Sequence, residues 1–232
     1  MHGRKILITC EHAGNYIPKD YRFMFAGADT ILMSHRGWDP GALNLAKYLA
    51  RQLEAPLFIQ KASRLLIEMN RSLYNKELFS EFTTNIEQRL KDHLLEKYYY
   101  PYRTEVEQKI AEYINQGSPV LHLSVHTFTP VLNGIIRTVD IGLLYDDARL
   151  AEKRFCEEWK LRLNAELTES VIMLNCPYNG ADDGFTTYLR TKFQENDYLG
   201  IELEINQKHN DTPEMKQIKE ALVYSLSPFI YR

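Results

Sequence analysis

Two histidines and an aspartate stand beside predicted elements in positions where side chains often bind metals. His12 follows the apolar run of residues 5–10, and His126 follows that of residues 120–125. Asp39 stands at the predicted start of a helix. Two imidazoles and a carboxylate with an open fourth position form a common catalytic zinc set. The sequence therefore makes His12, Asp39 and His126 candidate ligands of a zinc ion.

Each of these residues also has an ordinary structural explanation. A histidine at a strand end is often a hydrogen-bonded loop residue, and Asp39 before Pro40 is typical of a helix N-cap. Glu11, beside His12, is either a carboxylate that orients an imidazole or a plain loop acid. Because the spacing is dispersed, unlike HExxH, the metal and structural interpretations both stay open at this point.

Two further acids alternate within one predicted strand. Glu202 and Glu204 lie in Gly200-Ile-Glu-Leu-Glu-Ile205, so both carboxylates point to the same face. If that face meets a metal site, one of the acids is suited to accept a proton from water as general base. If it does not, the segment is a half-exposed strand with a polar face. The alternation alone does not distinguish the two acids.

Arginines supply candidate substrate contacts. Asn70 and Arg71 follow the apolar segment 65–69, and the planar guanidinium fork suits a carboxylate or a developing oxyanion. Arg64 and Arg137 are further candidates for binding a substrate carboxylate. Each of these arginines, taken alone, is more typical of a surface position.

The elements that must position these residues alternate between strand and helix. Strands are predicted at 5–10, 57–60, 65–69, 120–125, 141–145, 171–174 and 199–205. Helices are predicted at 40–54, 84–98, 102–116, from 146 or 147 to 166, and 213–226. Several strands are apolar throughout, which favours a mostly parallel sheet with helices on both faces, a three-layer α/β/α fold. In such sheets ligands bind outside the carboxyl ends of the strands, so we expect the polar residues to meet there.

Composition excludes several other classes. The 232 residues carry a net charge of -3, without the cationic excess of nucleic-acid-binding proteins, and no apolar run reaches the length of a membrane span. The three cysteines are widely spaced, as in reduced cytoplasmic proteins. No repeat or linker divides the chain, and no nucleotide-binding loop or GxSxG elbow is present. We predict a single cytoplasmic domain over residues 1–232, monomeric or homo-oligomeric, with no nucleic-acid or membrane partner.

Five segments in chain order together resemble the N-formylglutamate amidohydrolase family. These are Cys10-Glu-His-Ala-Gly-Asn15, His35-Arg-Gly-Trp-Asp-Pro-Gly-Ala42, Ser63-Arg-Leu-Leu-Ile-Glu-Met-Asn-Arg71, Ser124-Val-His-Thr-Phe-Thr-Pro130 and Ile201-Glu-Leu-Glu-Ile205. The resemblance implies a phosphorylase/hydrolase-like α/β/α fold, related to that of zinc carboxypeptidases and aminopeptidases. It also implies one Zn²⁺ per chain and a small acidic substrate, in amino-acid catabolism. The implied reaction is hydrolysis of an N-acyl amino acid, first of all N-formyl-L-glutamate to formate and L-glutamate.

By position, the resemblance assigns roles to individual residues. His12 and His126 match the two zinc-binding imidazoles, Asn70 and Arg71 match a pair that meets substrate, and Glu204 matches the catalytic base. Arg71 would also stabilise the oxyanion of the reaction.

The acidic ligand is less well defined by the resemblance. Asn15 stands where carboxypeptidase-like relatives place the glutamate of His-x-x-Glu, so it is a weak ligand or a substrate contact. Aminopeptidase-like relatives favour Asp39, and Glu11 stays open. Arg137 begins a stretch that departs from the family pattern, which puts the substrate in question more than the chemistry. Two alternatives therefore remain: deacylation of another N-acyl amino acid or peptide, and non-catalytic binding of small acidic ligands.

Overall fold

The chain folds around a six-stranded sheet in a computed structural model that describes residues 3–230. The strands are β1 Lys5–Cys10, β2 Leu57–Ile59, β3 Val120–Phe128, β4 Val131–Leu132, β5 Ile135–Ile136, β6 Ile141–Leu144, β7 Ile172–Leu174 and β8 Tyr198–Asn206. The helices are α1 Asp29–Met33, α2 Ala42–Gln52, α3 Gln88–Leu94, α4 Tyr100–Asn115, α5 Leu150–Glu166, α6 Phe185–Arg190 and α7 Pro213–Ile230. Short 3-10 helices cover Lys19–Phe25 and Gln207–His209, and a π-helical turn, Leu95–Tyr99, joins α3 to α4.

The main sheet is mixed but mostly parallel, as predicted. Its strand order is β2-β1-β3-β8-β6-β7, and only the β6–β8 pair is antiparallel. The central strands β3 and β8 pair over their full lengths, with His126 opposite Glu204 and Ser124 opposite Glu202. This register puts an imidazole and the candidate base on adjacent strands at the same height.

Helices cover both faces of the sheet. Along β1, Ile6 and Ile8 pack in one apolar cluster with α2, α5 and α7, whereas Leu7 packs in a second cluster with α4 and α6. The alternation follows from the two-residue period of a strand, and burial of both faces explains why strand sequences are apolar throughout. The three-layer α/β/α prediction is confirmed.

The segment 65–69 is not the strand that its apolar sequence predicts. It is a buried turn, in which the Leu66 amide donates to the Ser63 carbonyl (2.9 Å) and the Glu68 amide donates to the Leu78 carbonyl (2.9 Å). Its apolar side chains pack in the second cluster beside α4. A short apolar run marks burial, but it does not say whether the backbone pairs with a neighbouring strand.

Other differences concern element boundaries. Residues 99–101 were expected to separate two helices, yet the backbone stays helical there, since the π-helical turn Leu95–Tyr99 runs directly into α4, whose first turn contains Pro101. Strand β3 runs three residues beyond Val125, so His126 lies within the strand rather than after it. The β4–β5 hairpin was not predicted, although its turn residues Asn133 and Gly134 have the positive φ values of a tight hairpin turn. Within residues 3–230, no helix has the length and apolar character required to cross a bilayer.

Candidate metal centre

His12, Asp39 and His126 meet at the carboxyl end of the sheet, as the sequence predicts. The Nδ1 atoms of His12 and His126 lie 3.1 Å and 2.9 Å from Oδ2 of Asp39, and 3.2 Å from each other. All three residues are buried. They form a group of metal-binding atoms that come from three separate parts of the chain.

Backbone contacts position Asp39 in this group. Its amide donates to the His12 carbonyl (3.1 Å), and the following Pro40 carbonyl accepts from Thr127 Oγ1 and Asn210 Nδ2 (both 2.8 Å). The predicted role of Asp39 as a side-chain helix cap is wrong. The residue before α2 is Gly41, with a φ of 92°, and no side chain caps the helix. The Asp39 carboxylate is therefore left for the two imidazoles.

The outer nitrogen of each imidazole is held by a buried acid. His12 Nε2 lies 2.5 Å from Glu68 Oε1. His126 Nε2 lies 2.8 Å from Ser124 Oγ, whose hydroxyl donates to Glu11 Oε2 (2.7 Å). Because the carboxylates only accept and the serine hydroxyl proton is committed to Glu11, both Nε2 atoms act as donors. Nδ1 of both rings then faces Asp39 and is the nitrogen that can bind a metal.

This proton arrangement fits a bound cation. With both Nε2 atoms as donors, the two Nδ1 atoms and a carboxylate oxygen converge on one point, where either a proton shared with Asp39 or a metal cation supplies the positive charge that they require. Two nitrogen donors and one oxygen donor are the ligand set of catalytic zinc sites, which keep a further position open for water or substrate. The donor set therefore fits a zinc ion.

The electrostatics of the centre agree with a cationic occupant. Burial alone raises the pKa of Asp39, but the nearby His12 and His126 outweigh it and hold the pKa well below its usual value. Burial lowers the pKa of His126, yet its hydrogen bonds with Asp39 and Glu11 raise that pKa well above the ordinary value. The acids around the centre thus stabilise positive charge within it.

Glu204 differs from Glu202 in having an unpartnered carboxylate oxygen. Its Oε2 is buried without a hydrogen bond, whereas Glu202 Oε1 accepts from Thr186 Oγ1 (2.7 Å). Burial is the main cause that raises the pKa of Glu204 to about 8, with a further contribution from the negative charge of Asp39. A buried carboxylate with a free oxygen and a pKa near neutrality is suited to proton transfer, so the geometry favours Glu204 as the base.

A cavity of about 210 Å³ opens beside the three ligands and both glutamates. Asn70 and Arg71 line it, as predicted, and Asn70 Oδ1 accepts from the Phe185 amide (2.6 Å) at the start of α6. Arg71 donates to the carbonyls of Asn70 (2.8 Å) and Asp183 (3.1 Å) from one nitrogen, NH1. The Asn70 amide nitrogen is thus left for a ligand, and beyond NH1 the Arg71 guanidinium has only a long ion pair, with Glu77 (3.5 Å).

The remaining candidates lie in other settings. Arg64 lines the cavity, but its guanidinium is bound to Glu68. Asn15 does not line the cavity, and its amide donates to the Leu32 carbonyl (3.1 Å). Arg137 is also outside the lining and donates to Tyr178 Oη (2.9 Å), which itself faces the cavity.

Sequence reasoning missed several residues of the site. The sequence signal for Glu68 was its position between Ser63-Arg64 and Asn70-Arg71. Thr127 and the loop before α6 supply the rest of the cavity wall, and none of these residues was predicted to lie in the site. These loop residues are Tyr178, Asn179, Asp182 and Asp183.

Comparisons with known proteins identify the family and the fold of the chain. The sequence model of the N-formylglutamate amidohydrolase family matches residues 4–209. The crystal structure of gene product Atu2144 from Agrobacterium tumefaciens is similar, with 28% identity, a TM-score of 0.78, and coverage of 97% of this chain and 91% of that one. The N-formylglutamate amidohydrolase from Ralstonia eutropha JMP134 is 16% identical, with a TM-score of 0.65 and coverage of 98% and 94%, and shares the fold. No curated protein matches the sequence.

Proposed function

The chain belongs to the N-formylglutamate amidohydrolase family and is a hydrolase that acts on amides, and we propose that it uses zinc to cleave an N-acyl amino acid. One observation carries the proposal. The convergent His12, Asp39 and His126 stand beside Glu204, whose buried Oε2 has no partner. The first candidate substrate is N-formyl-L-glutamate, which would give formate and L-glutamate.

The metal would supply the nucleophile. His12, Asp39 and His126 would hold the zinc ion, which would supply a water of lowered pKa and a Lewis acid for the acyl carbonyl. Glu204 would accept the water proton at Oε2 and return it to the departing amine nitrogen, since amines are poor leaving groups until protonated. Its burial and its raised pKa suit both steps at neutral pH.

Asn70 and Arg71 would bind and orient the substrate. With its Oδ1 occupied by the Phe185 amide, Asn70 presents its amide nitrogen to the cavity. The Arg71 guanidinium would bind a substrate carboxylate or the developing oxyanion. One well-placed donor to an oxyanion contributes roughly 3 to 4 kcal/mol in comparable acyl-transfer sites.

Amine release from a panel of substrates tests the proposal. Zinc-loaded protein is incubated with N-formyl, N-acetyl and N-succinyl derivatives of glutamate and of neutral amino acids, with Glu204→Gln as the inactive control. Release of glutamate from N-formyl-L-glutamate supports the first candidate. Turnover confined to another acyl group or amino acid reassigns the substrate, and binding of acyl-glutamate without turnover of any compound would overturn the enzyme proposal.

A further inference from the structure

We propose that Glu68, held by Arg64, positions His12 for the metal, and that Arg64 acts through this contact rather than by binding substrate. The inference rests on the proposed function, because it concerns the ligands of the same metal. It changes the role that the sequence suggests for Arg64, which is to bind a substrate carboxylate.

Glu68 occupies the side of the His12 ring that faces away from the other ligands. Its Oε1 lies 2.5 Å from His12 Nε2, while His12 Nδ1 faces Asp39 at 3.1 Å. The same Oε1 accepts from the backbone amide of Asn70 (3.0 Å), which also ties Glu68 to the substrate-binding pair. A carboxylate at Nε2 fixes the tautomer in which Nδ1 carries the lone pair, and it prevents rotation of the ring. Glu68 thus sets both the protonation and the orientation that a metal ligand needs.

Arg64 in turn holds Glu68. Its Nε and NH2 atoms both contact Glu68 Oε2, at 2.7 Å and 2.6 Å, and its NH1 lies 3.5 Å from Asp39 Oδ1. The side chains of Glu68 and Asp39 are 6% exposed, so a single guanidinium compensates two buried carboxylates at once. Each of its three nitrogens already faces a carboxylate, which leaves poor geometry for a substrate carboxylate.

Arg71 provides the contrast within the same cavity. Its ion pair with Glu77 is long (3.5 Å), and the Glu77 side chain is 76% exposed. An exposed pair of this kind is weak, so a substrate carboxylate can replace it. Arg64 is thus bound to the carboxylate that holds His12, whereas Arg71 is available to bind substrate.

The second imidazole has a related but less direct support. Glu11 lies 3.4 Å from His126 Nε2, with Ser124 Oγ between them, and Glu11 is anchored by Tyr102 Oη (3.0 Å). Because Glu68 contacts His12 directly, we expect its loss to weaken zinc binding more than the loss of Glu11 does.

Zinc affinity of the full chain tests the inference. The dissociation constant is measured by competition with a chromogenic chelator for the wild type, Glu68→Gln and Arg64→Met, with exposed Glu105→Gln and Arg89→Met as matched controls. Loss of a carboxylate partner behind a histidine ligand weakens metal binding by about 10- to 100-fold, and we expect this change in both test variants and in neither control. At saturating zinc, the KM of Arg64→Met should stay within about threefold of the wild type, well below the roughly tenfold or greater rise that losing a charged hydrogen bond to substrate causes.

A second readout does not depend on zinc or on activity. In metal-free protein labelled with ¹⁵N-histidine, at a pH high enough that His12 is neutral, the His12 nitrogen shifts should report a proton on Nε2, and this preference should weaken in Glu68→Gln. If Glu68→Gln does not fold, Glu68→Asp is measured instead, since it keeps the charge but withdraws it from the ring, and the same two changes are expected.

The opposite pattern would overturn the inference: unchanged zinc affinity in both variants, with a large KM increase in Arg64→Met. This failure is distinct from failure of the proposed function. A protein that binds zinc as described but hydrolyses no N-acyl amino acid would refute the function and leave the inference standing.

Discussion

Replacing Glu204 with glutamine should abolish activity while making the metal-free protein more stable. The substitution keeps the shape of the side chain and removes its ability to accept a proton. General acid–base catalysis contributes about 100- to 10,000-fold, which corresponds to roughly 3 to 5 kcal/mol of transition-state stabilisation. We therefore expect kcat to fall by at least about 100-fold, with zinc content unchanged because Glu204 is not a ligand.

The expected gain in stability follows from the pKa of the buried carboxyl. Burial raises this pKa from 4.5 to about 8, so between these values the folded state binds a proton that the unfolded state has lost. Stability therefore falls as pH rises through this range. At pH 7 the cost is on the order of 3 kcal/mol, about 1.4 kcal/mol for each pH unit above 4.5. Glutamine carries no charge at either pH and avoids this cost.

Urea unfolding of chelator-treated wild type and Glu204→Gln, at pH 4 and pH 7, measures the effect. The variant should be more stable at pH 7 by up to about 3 kcal/mol, and the two proteins should nearly coincide at pH 4, where both carry a neutral side chain. Glu202→Gln is the matched control, because Glu202 already has a hydrogen-bond partner in Thr186. Equal or lower stability of Glu204→Gln at pH 7, or full activity, would refute the reasoning.

Three further predictions concern the ligands, the substrate and the core. His126→Ala should reduce bound zinc from about one ion per chain to a small fraction, by elemental analysis, with an unchanged far-UV circular dichroism spectrum; full zinc retention would exclude His126 as a ligand. Arg71→Lys should raise the KM for an N-acyl amino acid by about 10- to 100-fold with unchanged zinc affinity, because a charge-assisted hydrogen bond contributes about 1.5 to 3 kcal/mol. An unaltered KM would contradict the assignment of Arg71 to substrate binding. Burial lowers the pKa of His122 from 6.5 to about 4, between Thr9 and Tyr198. Because the buried ring stays neutral, about 3 kcal/mol of folding stability should be present above pH 6.5 and lost as pH falls to 4. The free energy of unfolding of His122→Gln should therefore depend less steeply on pH over that interval than that of the wild type, and identical slopes would exclude this role of His122.

Much of the fold and the ligand set could be predicted because the relevant signals are local. Apolar runs mark β1, β3 and β8, and helical spacing marks α2. The rule that ligands bind at the carboxyl ends of parallel strands then brings His12, Asp39 and His126 together without any knowledge of distances. The family resemblance gave the same two histidines and favoured Asp39 without excluding Asn15 or Glu11, and the match over residues 4–209 confirms that family.

The roles of the arginines and glutamates depended on contacts between residues far apart in the chain. Nothing in the alternation of Glu202 and Glu204 shows that Thr186, on α6, binds one and leaves the other unpartnered. Likewise the segment that carries Arg64 and Glu68 was expected to include a strand, whereas its turn brings Glu68 to His12 and Arg64 to Glu68.

The sequence by itself determined which residue types reach one edge of the sheet, because strand and helix periods are properties of short segments. Only the tertiary structure decided which charge pairs with which. The energy of a buried carboxylate depends on the few atoms within hydrogen-bonding distance, and in this protein those atoms come from different loops and strands.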